Sequence, residues 1–363
     1  MNNYTKEELA CIWVDSFLCL EYKYKKEIIE LVGSDSINKV FQENKDYLEK
    51  LIGAENFNTL ISSSNKEYLT FVIKGLESRK IKAITFVSNG YPEDLLNVEC
   101  PPLVLYCIGE TKLLNGENFS IVGSRKTLPI SLKLAEDFAK ELSSVGFTLV
   151  TGIAEGVDST VLHTAIENGG KVISVIAGGI DNIYPKSNAH LLDKVLEKGL
   201  IIAEYPPEIV PKPYHFPVRN RIIAGLSKGV LVVSAGKRSG TLYTAEYADQ
   251  LSKPVFAIPY SVGVSSGVGC NDLIKKGAIL CDSPEDILNY FGKEKSEEGL
   301  NLSLEEKNIV LILSDGELHV EKLCALLNKK VFEITPFLSM LEIKGLIVKS
   351  GNVYGLARNN LEV

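Results

Sequence analysis

The stretch Phe119-Ser120-Ile121-Val122-Gly123-Ser124-Arg125 decides the fold of this 363-residue chain. Its apolar run is long enough for a strand and ends in a glycine, and a segment with helical periodicity, Ser131–Val145, follows. A strand that passes through a glycine turn into a helix is typical of an α/β domain with a parallel sheet.

The same alternation continues along the chain. Five further apolar, β-rich runs are Phe147–Thr151, Lys171–Ala177, Leu200–Ala203, Gly229–Val233 and Pro254–Ile258. The segments with helical periodicity between them are Val157–Glu167, Asn188–Lys198, Val218–Leu226 and Thr241–Leu251. Because the strands are apolar nearly throughout, helices should cover both faces of the sheet. We therefore predict a doubly wound, extended Rossmann-like α/β domain over residues 83–292, to which Ala83–Val87 adds a candidate strand of open pairing.

Both ends of the chain differ from this middle region. Residues 1–82 predict a small helical domain, in which Glu7–Leu20 and Tyr68–Leu76 have helical spacing and Ser34–Ser36 starts a helix. Residues 293–302 predict a charged linker. Residues 303–363 predict a C-terminal winged helix. Its elements are the helices Leu304–Leu313, Val320–Leu327 and Phe332–Lys344 and a hairpin of Gly345–Lys349 and Val353–Leu356.

The distribution of charge favours a local anion site. The net charge of −7, from 39 basic and 46 acidic residues, argues against a protein that binds polyanions over its whole surface. However, residues 118–135 and 209–245 contain no Asp or Glu, and they carry nine lysines and arginines between them. A positive surface in the middle of an acidic chain is the expected result.

Other features bound the cellular context. The seven cysteines are scattered without a CxxC pair, and the four histidines have no metal-ligand spacing with them. The chain shows neither a secretory leader nor an apolar run of roughly twenty residues. We therefore expect a cytoplasmic protein with no membrane segment, no metal and no cofactor.

Five loops follow, or closely trail, the predicted strand ends: Ile121–Arg125, Thr151–Asp158, Ala177–Asn188, Tyr214–Ile223 and Ser239–Ala245. Because these strand ends share one edge of a doubly wound sheet, the loops can converge on one crevice. Glycine admits an anion to the backbone, and arginine grips a phosphate with two parallel hydrogen bonds. The predicted binding residues are Gly123, Ser124, Arg125, Gly178, Lys186, Asn188, Arg219, Asn220, Arg221, Ser239, Gly240 and Thr241.

Taken singly, these residues also have structural interpretations. Arg125 fits a tight turn with a solvated side chain, and Lys186 fits a surface lysine. Asp158 fits a helix cap, and Tyr184 fits packing better than base stacking. The binding interpretation is favoured because these loops coincide with segments that contain no Asp or Glu.

Enzymatic motifs are missing or misplaced. There is no GxGxxG, and Gly236-Lys237 does not complete a GxxxxGK[ST] loop because position 231 is Leu231. The letters of GxSxG occur at Gly263–Gly267, but they lie beyond the last predicted strand, where a flexible loop is expected rather than a nucleophile elbow. We predict no catalytic residues.

Together the motifs resemble the DNA-processing protein A (DprA/Smf) family, from about Tyr91-Pro92 to Ile287. The resemblance implies a Rossmann-like domain that binds single-stranded DNA without strong sequence preference. It also implies protection of that DNA, dimerisation, and loading of the RecA recombinase in natural transformation. By motif match, Arg125 and Lys186 would hold phosphates, and Arg219, Asn220 and Arg221 would lie nearby.

The chain departs from the family pattern at three places. These departures leave open the alternative that it is a divergent paralogue with a different partner. Leu162 stands where the family usually has histidine, with His163 next to it. Ser234 replaces a usual glutamate, and Pro259-Tyr260 replaces a usual Pro-Gly.

Two alternatives come from other functional classes. The nucleotide-cleaving lysine-decarboxylase-like (LOG) family uses a PGGxGTxxE motif, but here Glu246 follows Thr241 by five residues and the PGG is absent. A winged-helix transcription regulator would need a basic recognition helix. The predicted one, Phe332–Lys344, carries Glu333, Glu342 and Lys344, which is a poor phosphate-binding face.

Overall fold

The computed structural model describes residues 4–33, 37–293 and 302–357. The chain forms two compact units, residues 1–294 and 295–363. The helix start predicted at 34–36 lies outside the described residues, as does most of the predicted linker.

The first unit begins with a group of short helices. They are α1 (Lys6–Asp15), α2 (Tyr22–Val32), α3 (Ile37–Glu43), α4 (Lys45–Ile52), α5 (Ala54–Ser63) and α6 (Lys66–Ser78). A capping box of Thr5 and Glu8 starts α1. The buried carboxylate of Asp15 accepts hydrogen bonds from Lys25 Nζ at 3.1 Å and from the Tyr106 hydroxyl at 3.0 Å, which ties these helices to the sheet that follows.

A nine-stranded sheet forms the centre of this unit. Its strands are β1 (Lys82–Thr85), β2 (Val104–Gly109), β3 (Asn118–Gly123), β4 (Thr148–Thr151), β5 (Val172–Ile176), β6 (Leu200–Ala203), β7 (Val230–Ser234), β8 (Val255–Ala257) and β9 (Ile279–Leu280). The order is β1-β2-β6-β5-β4-β3-β7-β8-β9. The last seven strands in this order are parallel to one another, and β2 is antiparallel to both of its neighbours, β1 and β6. The candidate strand at 83–87 is β1, and its partner β2 is an addition to the sequence prediction.

Helices cover both faces of the sheet. They are α7 (Pro129–Ser144), α8 (Val157–Glu167), α9 (Ala189–Lys198), α10 (His215–Leu226), α11 (Thr241–Gln250), α12 (Val268–Lys275) and α13 (Pro284–Tyr290). Because side chains alternate along a strand, Phe119 and Ile121 join the core beneath α7 and α8, whereas Val122 joins the core beneath α10 and α11. The predicted Rossmann-like α/β fold is confirmed.

The second unit contains α14 (Leu304–Leu313), β10 (Leu318–His319), α15 (Val320–Leu327), α16 (Val331–Ile343), β11 (Ile347–Ser350) and β12 (Val353–Leu356). Its sheet has the order β10-β12-β11, so the predicted hairpin gains a short third strand. Three helices with such a wing form a winged helix, and Leu323, Ile334 and Leu338 lie in its core.

The described helices include none with the length and apolar character of a bilayer-spanning segment. Within the same residues, no group of three His, Cys, Asp or Glu side chains is placed to hold a metal ion.

Candidate nucleic-acid interface

A crevice of about 730 Å³ opens at the carboxyl ends of β3 and β7. The chain runs from β3 outward through β4, β5 and β6, and then returns to the other side of β3 to form β7, β8 and β9. The crevice therefore lies where the strand order reverses, which is the place where open α/β sheets bind ligands. Its walls come from the loops after β3 and β7, the first turns of α10 and α11, and the turn at Ser265 and Ser266.

The charge of the crevice is strongly unbalanced. Among the described residues that line it, four are cations, Arg125, Lys126, Arg219 and Arg238, and one, Asp158, has a carboxyl group. Sequence reasoning did not place Lys126 and Arg238 in the site. The available signal was that both belong to the acid-free segments. This lining is suited to a ligand with several negative charges.

Arg125 is exposed at the mouth of the crevice, and its guanidinium carbon lies 5.0 Å from the centre of the Phe216 ring. It forms no ion pair within the described part of the chain, so its charge is available to a ligand. The aromatic face holds the guanidinium by a cation–π contact without neutralising it.

The loop that carries Arg125 is fixed from two sides. The Ser124 N–H donates to the carbonyl oxygen of Ser234 at 3.0 Å, which joins the loop to the end of β7. On the other side, Gly156 has a φ of +84°, and a Cβ there would lie 2.4 Å from the Arg125 carbonyl oxygen and 2.6 Å from that of Ser124. Glycine is therefore required at position 156 for both its conformation and this close approach.

Arg219 and Asp158 form the floor of the crevice, and both are buried. Arg219 donates through Nη1 to the Val175 carbonyl and through Nε to Asn220 Oδ1 at 3.2 Å. Burial lowers the pKa of Arg219 to about 10, and the charge of Asp158 opposes this shift. Burial also raises the pKa of Asp158, against the charge of Arg219. The floor therefore holds a buried arginine beside a buried carboxyl group, and each of them favours the charged form of the other.

The positions of Arg219 and Asp158 depend on a second close approach. A Cβ on Gly152 would lie 2.4 Å from Asp158 Oδ2 and 2.6 Å from Arg219 Nη1. Any side chain at this position would occupy the space of both charged groups, which explains the glycine at the end of β4.

The first turn of α11 closes the opposite wall. The Asn220 side chain donates to the Gly240 carbonyl at 3.1 Å, and Ser239 Oγ donates to Thr241 Oγ1 at 3.0 Å. Ser239 Oγ also lies 3.5 Å from Ser124 Oγ, so the predicted first and fifth loops meet here. The start of a helix carries partial positive charge, which adds to the attraction for anions.

The structure thus brings together in the crevice eight of the twelve predicted residues: Gly123, Ser124, Arg125, Arg219, Asn220, Ser239, Gly240 and Thr241. The other four do not line it. Lys186 is exposed in the turn before α9. Asn188 is buried, and its amide donates to the Ile153 carbonyl at 2.9 Å. Gly178 allows a close approach to the segment that follows β6, since a Cβ there would lie 2.7 Å from Pro211.

Arg221 has a structural environment. Its side chain is 7% exposed, and it donates to the two carboxylate oxygens of Glu204 at 2.8 and 2.5 Å. A third bond of 2.8 Å runs to the Cys100 carbonyl. Because these internal partners occupy its guanidinium, we do not include Arg221 among the proposed DNA contacts.

Comparison with known protein families finds a match for the part of the chain that contains this crevice. The sequence profile of the family described as DNA recombination-mediator protein A matches residues 82–292. The chain belongs to this family. The match spans the whole sheet and the crevice, and it confirms the resemblance to DprA/Smf proteins.

Individual relatives match this chain over regions of similar length. DNA processing protein DprA of Streptococcus pneumoniae is 39% identical over 215 residues, which cover 59% of this chain and 76% of that one. DprA of Bacillus subtilis is 37% identical over 217 residues, which cover 60% and 73%. Protein Smf of Escherichia coli is 39% identical over 202 residues, which cover 55% and 54%.

Two solved structures agree in fold. The crystal structure of S. pneumoniae DprA has a TM-score of 0.61 and 31% identity, and the match covers 74% of this chain and 98% of that one. A structure of DprA from Helicobacter pylori, described for its single-stranded DNA binding mode, has a TM-score of 0.53 and 29% identity, and the match covers 58% and 95%.

The departures from the family pattern lie outside the cations of the crevice. Leu162 is fully buried in the core, whereas His163 is half exposed and lies 3.1 Å from Glu167. Ser234 is buried and accepts a bond from the Ser124 N–H, so it supports the first loop. Tyr260 donates to the Val233 carbonyl at 2.8 Å, which anchors the loop after β8.

The residues of the enzymatic motifs considered above are not arranged as catalysis requires. Glu246 is exposed on α11 and does not line the crevice. The segment 263–267 ends in a short 3₁₀ turn, Ser265–Gly267, instead of forming only the expected loop. Ser265 and Ser266 line the crevice, but its described lining includes no histidine that could act as their base.

Proposed function

We propose that this chain binds single-stranded DNA through its backbone phosphates, in the crevice between β3 and β7. The observation that carries the proposal is the set of four cations against one carboxylate, at the point where the strand order reverses. Phosphates are the ligand class that this charge and the start of α11 would attract. The single-stranded DNA binding described for the H. pylori relative supports the same ligand.

The preference for a single strand follows from the shape of the site. The cations line a crevice at the carboxyl ends of two central strands, on loops and helix starts, rather than on a helix that projects into a groove. A flexible strand can bend its phosphates into such a recess, whereas a duplex holds them on a rigid cylinder. Contacts to phosphates carry no sequence information, so weak sequence preference is the consequence.

The wider role is proposed from family membership. Relatives named as DNA processing proteins and the family description as a recombination mediator favour a role in natural transformation. We propose that the chain acts in the cytoplasm as a homodimer, protects single-stranded DNA and loads RecA onto it. We also propose that it performs no hydrolysis of nucleotides, since Glu246 lies away from the recess and no phosphate-loop lysine motif is present.

The test is a binding titration by fluorescence anisotropy. A labelled oligothymidine and a duplex of the same length are compared over a series of salt concentrations. We expect the single strand to bind more tightly at each salt concentration, with an affinity that falls linearly on logarithmic axes. Equal or tighter binding of the duplex at matched salt would contradict the proposal.

A further inference from the structure

The two cations with the best motif support do not share the crevice. Arg125 lines it, whereas Lys186 lies outside it, in the turn that starts at Pro185. A strand that reaches both must therefore cross the surface between them. Tyr184 precedes Lys186 by two residues, and its side chain is exposed.

A chain of ring contacts connects Tyr184 to the crevice. The Tyr184 and Phe216 rings meet edge to face, with centroids 5.8 Å apart and planes at 71°. Phe216 lines the crevice and carries the Arg125 guanidinium 5.0 Å from its own ring centre. One aromatic residue thus contacts both the cation inside the crevice and the tyrosine outside it.

Tyr184 is more exposed than a packing residue would be. The sequence favoured packing for this ring, but the structure leaves 54% of the residue accessible to solvent. Among the described residues, the Tyr184 hydroxyl has no hydrogen-bond partner, so no internal hydrogen bond explains a tyrosine at this position. An exposed aromatic ring close to cations that form no ion pair among the described residues is the arrangement by which proteins stack single-stranded bases while they hold the backbone.

We propose that Tyr184 stacks on a base of the bound strand, between the phosphate held by Arg125 and the phosphate held by Lys186. Phe216 is the positioning residue: it contacts both Arg125 and Tyr184 and fixes their relative positions. This inference rests on the proposed binding of single-stranded DNA. Because every base has an aromatic face, such stacking adds affinity without sequence preference.

Stacking and phosphate contacts differ in their dependence on salt. Loss of a phosphate contact flattens the logarithmic salt slope by roughly 0.7, because fewer counterions are released on binding. Loss of a stacked base should weaken binding and leave that slope unchanged. Tyr184→Ala and Tyr184→Leu should raise the dissociation constant at least about fivefold. Tyr184→Phe retains the ring and should bind like the parent protein.

The experiment pairs these variants with two oligonucleotides of equal length, one of thymidines and one in which abasic sites replace the bases. Both carry the same phosphates, so the ratio of their affinities measures base contacts within each protein. We expect this ratio to fall in Tyr184→Ala and to stay at the parent value in Tyr184→Phe. Tyr47→Ala, at a similarly exposed tyrosine on α4, is the control. It removes a hydrogen bond to Glu27 but should leave the affinity ratio and the salt slope unchanged.

Each other result overturns the inference. If Tyr184→Ala keeps the parent ratio, or flattens the salt slope as Lys186→Ala would, the ring does not stack on a base. Because the ratio is taken within one protein, a loss of folded material does not imitate the expected result. The proposed function fails separately, if Arg125→Ala binds oligothymidine as tightly as the parent protein.

Discussion

Replacing Arg125 with alanine should weaken DNA binding and leave the fold intact. The guanidinium is exposed at the crevice mouth and forms no ion pair within the described residues. Its one described ring contact is with Phe216, and an exposed cation–π contact is worth about 0.5–1 kcal/mol. We therefore expect the free energy of unfolding, measured in urea, to fall by no more than about 1 kcal/mol.

The expected effect on binding is larger. A hydrogen bond to a charged group contributes about 1.5–3 kcal/mol, which corresponds to an increase of roughly ten- to 150-fold in the dissociation constant. One lost phosphate contact should also flatten the logarithmic salt slope by roughly 0.7. Anisotropy titrations of labelled oligothymidine over a salt series measure both quantities. Lys186→Ala should change both in the same direction.

The control must remove a cation without exposing acids. Lys133 on α7 is unsuitable for this, because its ammonium lies 2.9 Å from Asp137 and 3.5 Å from Glu136. Lys140 is exposed on the same helix and does not line the crevice, so Lys140→Ala gives the same loss of charge elsewhere. If Lys140→Ala weakens binding and flattens the slope as much as Arg125→Ala, general electrostatics explains the affinity and the crevice assignment is wrong.

Three further outcomes test the structure around the crevice and the winged helix. Arg221→Ala leaves the carboxylate of Glu204, which is 19% exposed, without its cation, and should lower the urea-measured free energy of unfolding by about 3–5 kcal/mol while the folded protein still binds DNA. Gly152→Ala should displace the Arg219 guanidinium, which lies 2.6 Å from the new Cβ, and should cost about 1–3 kcal/mol of stability together with a measurable loss of DNA affinity. The side chain of Lys344 and the Ser303 N–H hold the pKa of Glu306 below its ordinary value, so its contribution is present above that ordinary value and is lost as the pH falls through the lowered one. The difference in melting temperature between the parent protein and Glu306→Gln should accordingly disappear in acid.

The central sheet was predictable because its inner strands are buried on both faces, and three of them, β3, β4 and β7, end at a glycine or hydroxyl residue. The helix predicted at Val157–Glu167 has these same bounds in the structure. Strand β2 was missed, since its antiparallel pairing with β1 and β6 brings together residues that are distant in the chain. Strand β10 has two residues, which is too short for any periodicity to show.

The candidate site was predictable as a set of loops and less so as a set of side chains. The topology rule brought the loops after β3 and β7 to one edge, and eight predicted residues meet there. Charge patterning also marked the segments that contain Lys126 and Arg238, but it gave no reason to select them from the other cations. Whether a cation faces a recess or a carboxylate depends on tertiary packing, which a single sequence does not display.

The Arg219-Asn220-Arg221 triplet shows how helix geometry decides which cation faces the crevice and which faces a carboxylate. Residues two apart on a helix are separated by about 200° around its axis, so they cannot face the same ligand. All three residues belong to α10, and each has a different neighbour. Arg219 lies on the crevice floor, Asn220 holds the Gly240 carbonyl, and Arg221 pairs with Glu204. A helix that starts at His215 therefore turns one arginine of the pair towards the crevice and the other towards Glu204. Arg219→Ala should lower both DNA affinity and the free energy of unfolding, because it also leaves the buried Asp158 carboxyl group without its cation, whereas Arg221→Ala should lower the free energy of unfolding alone.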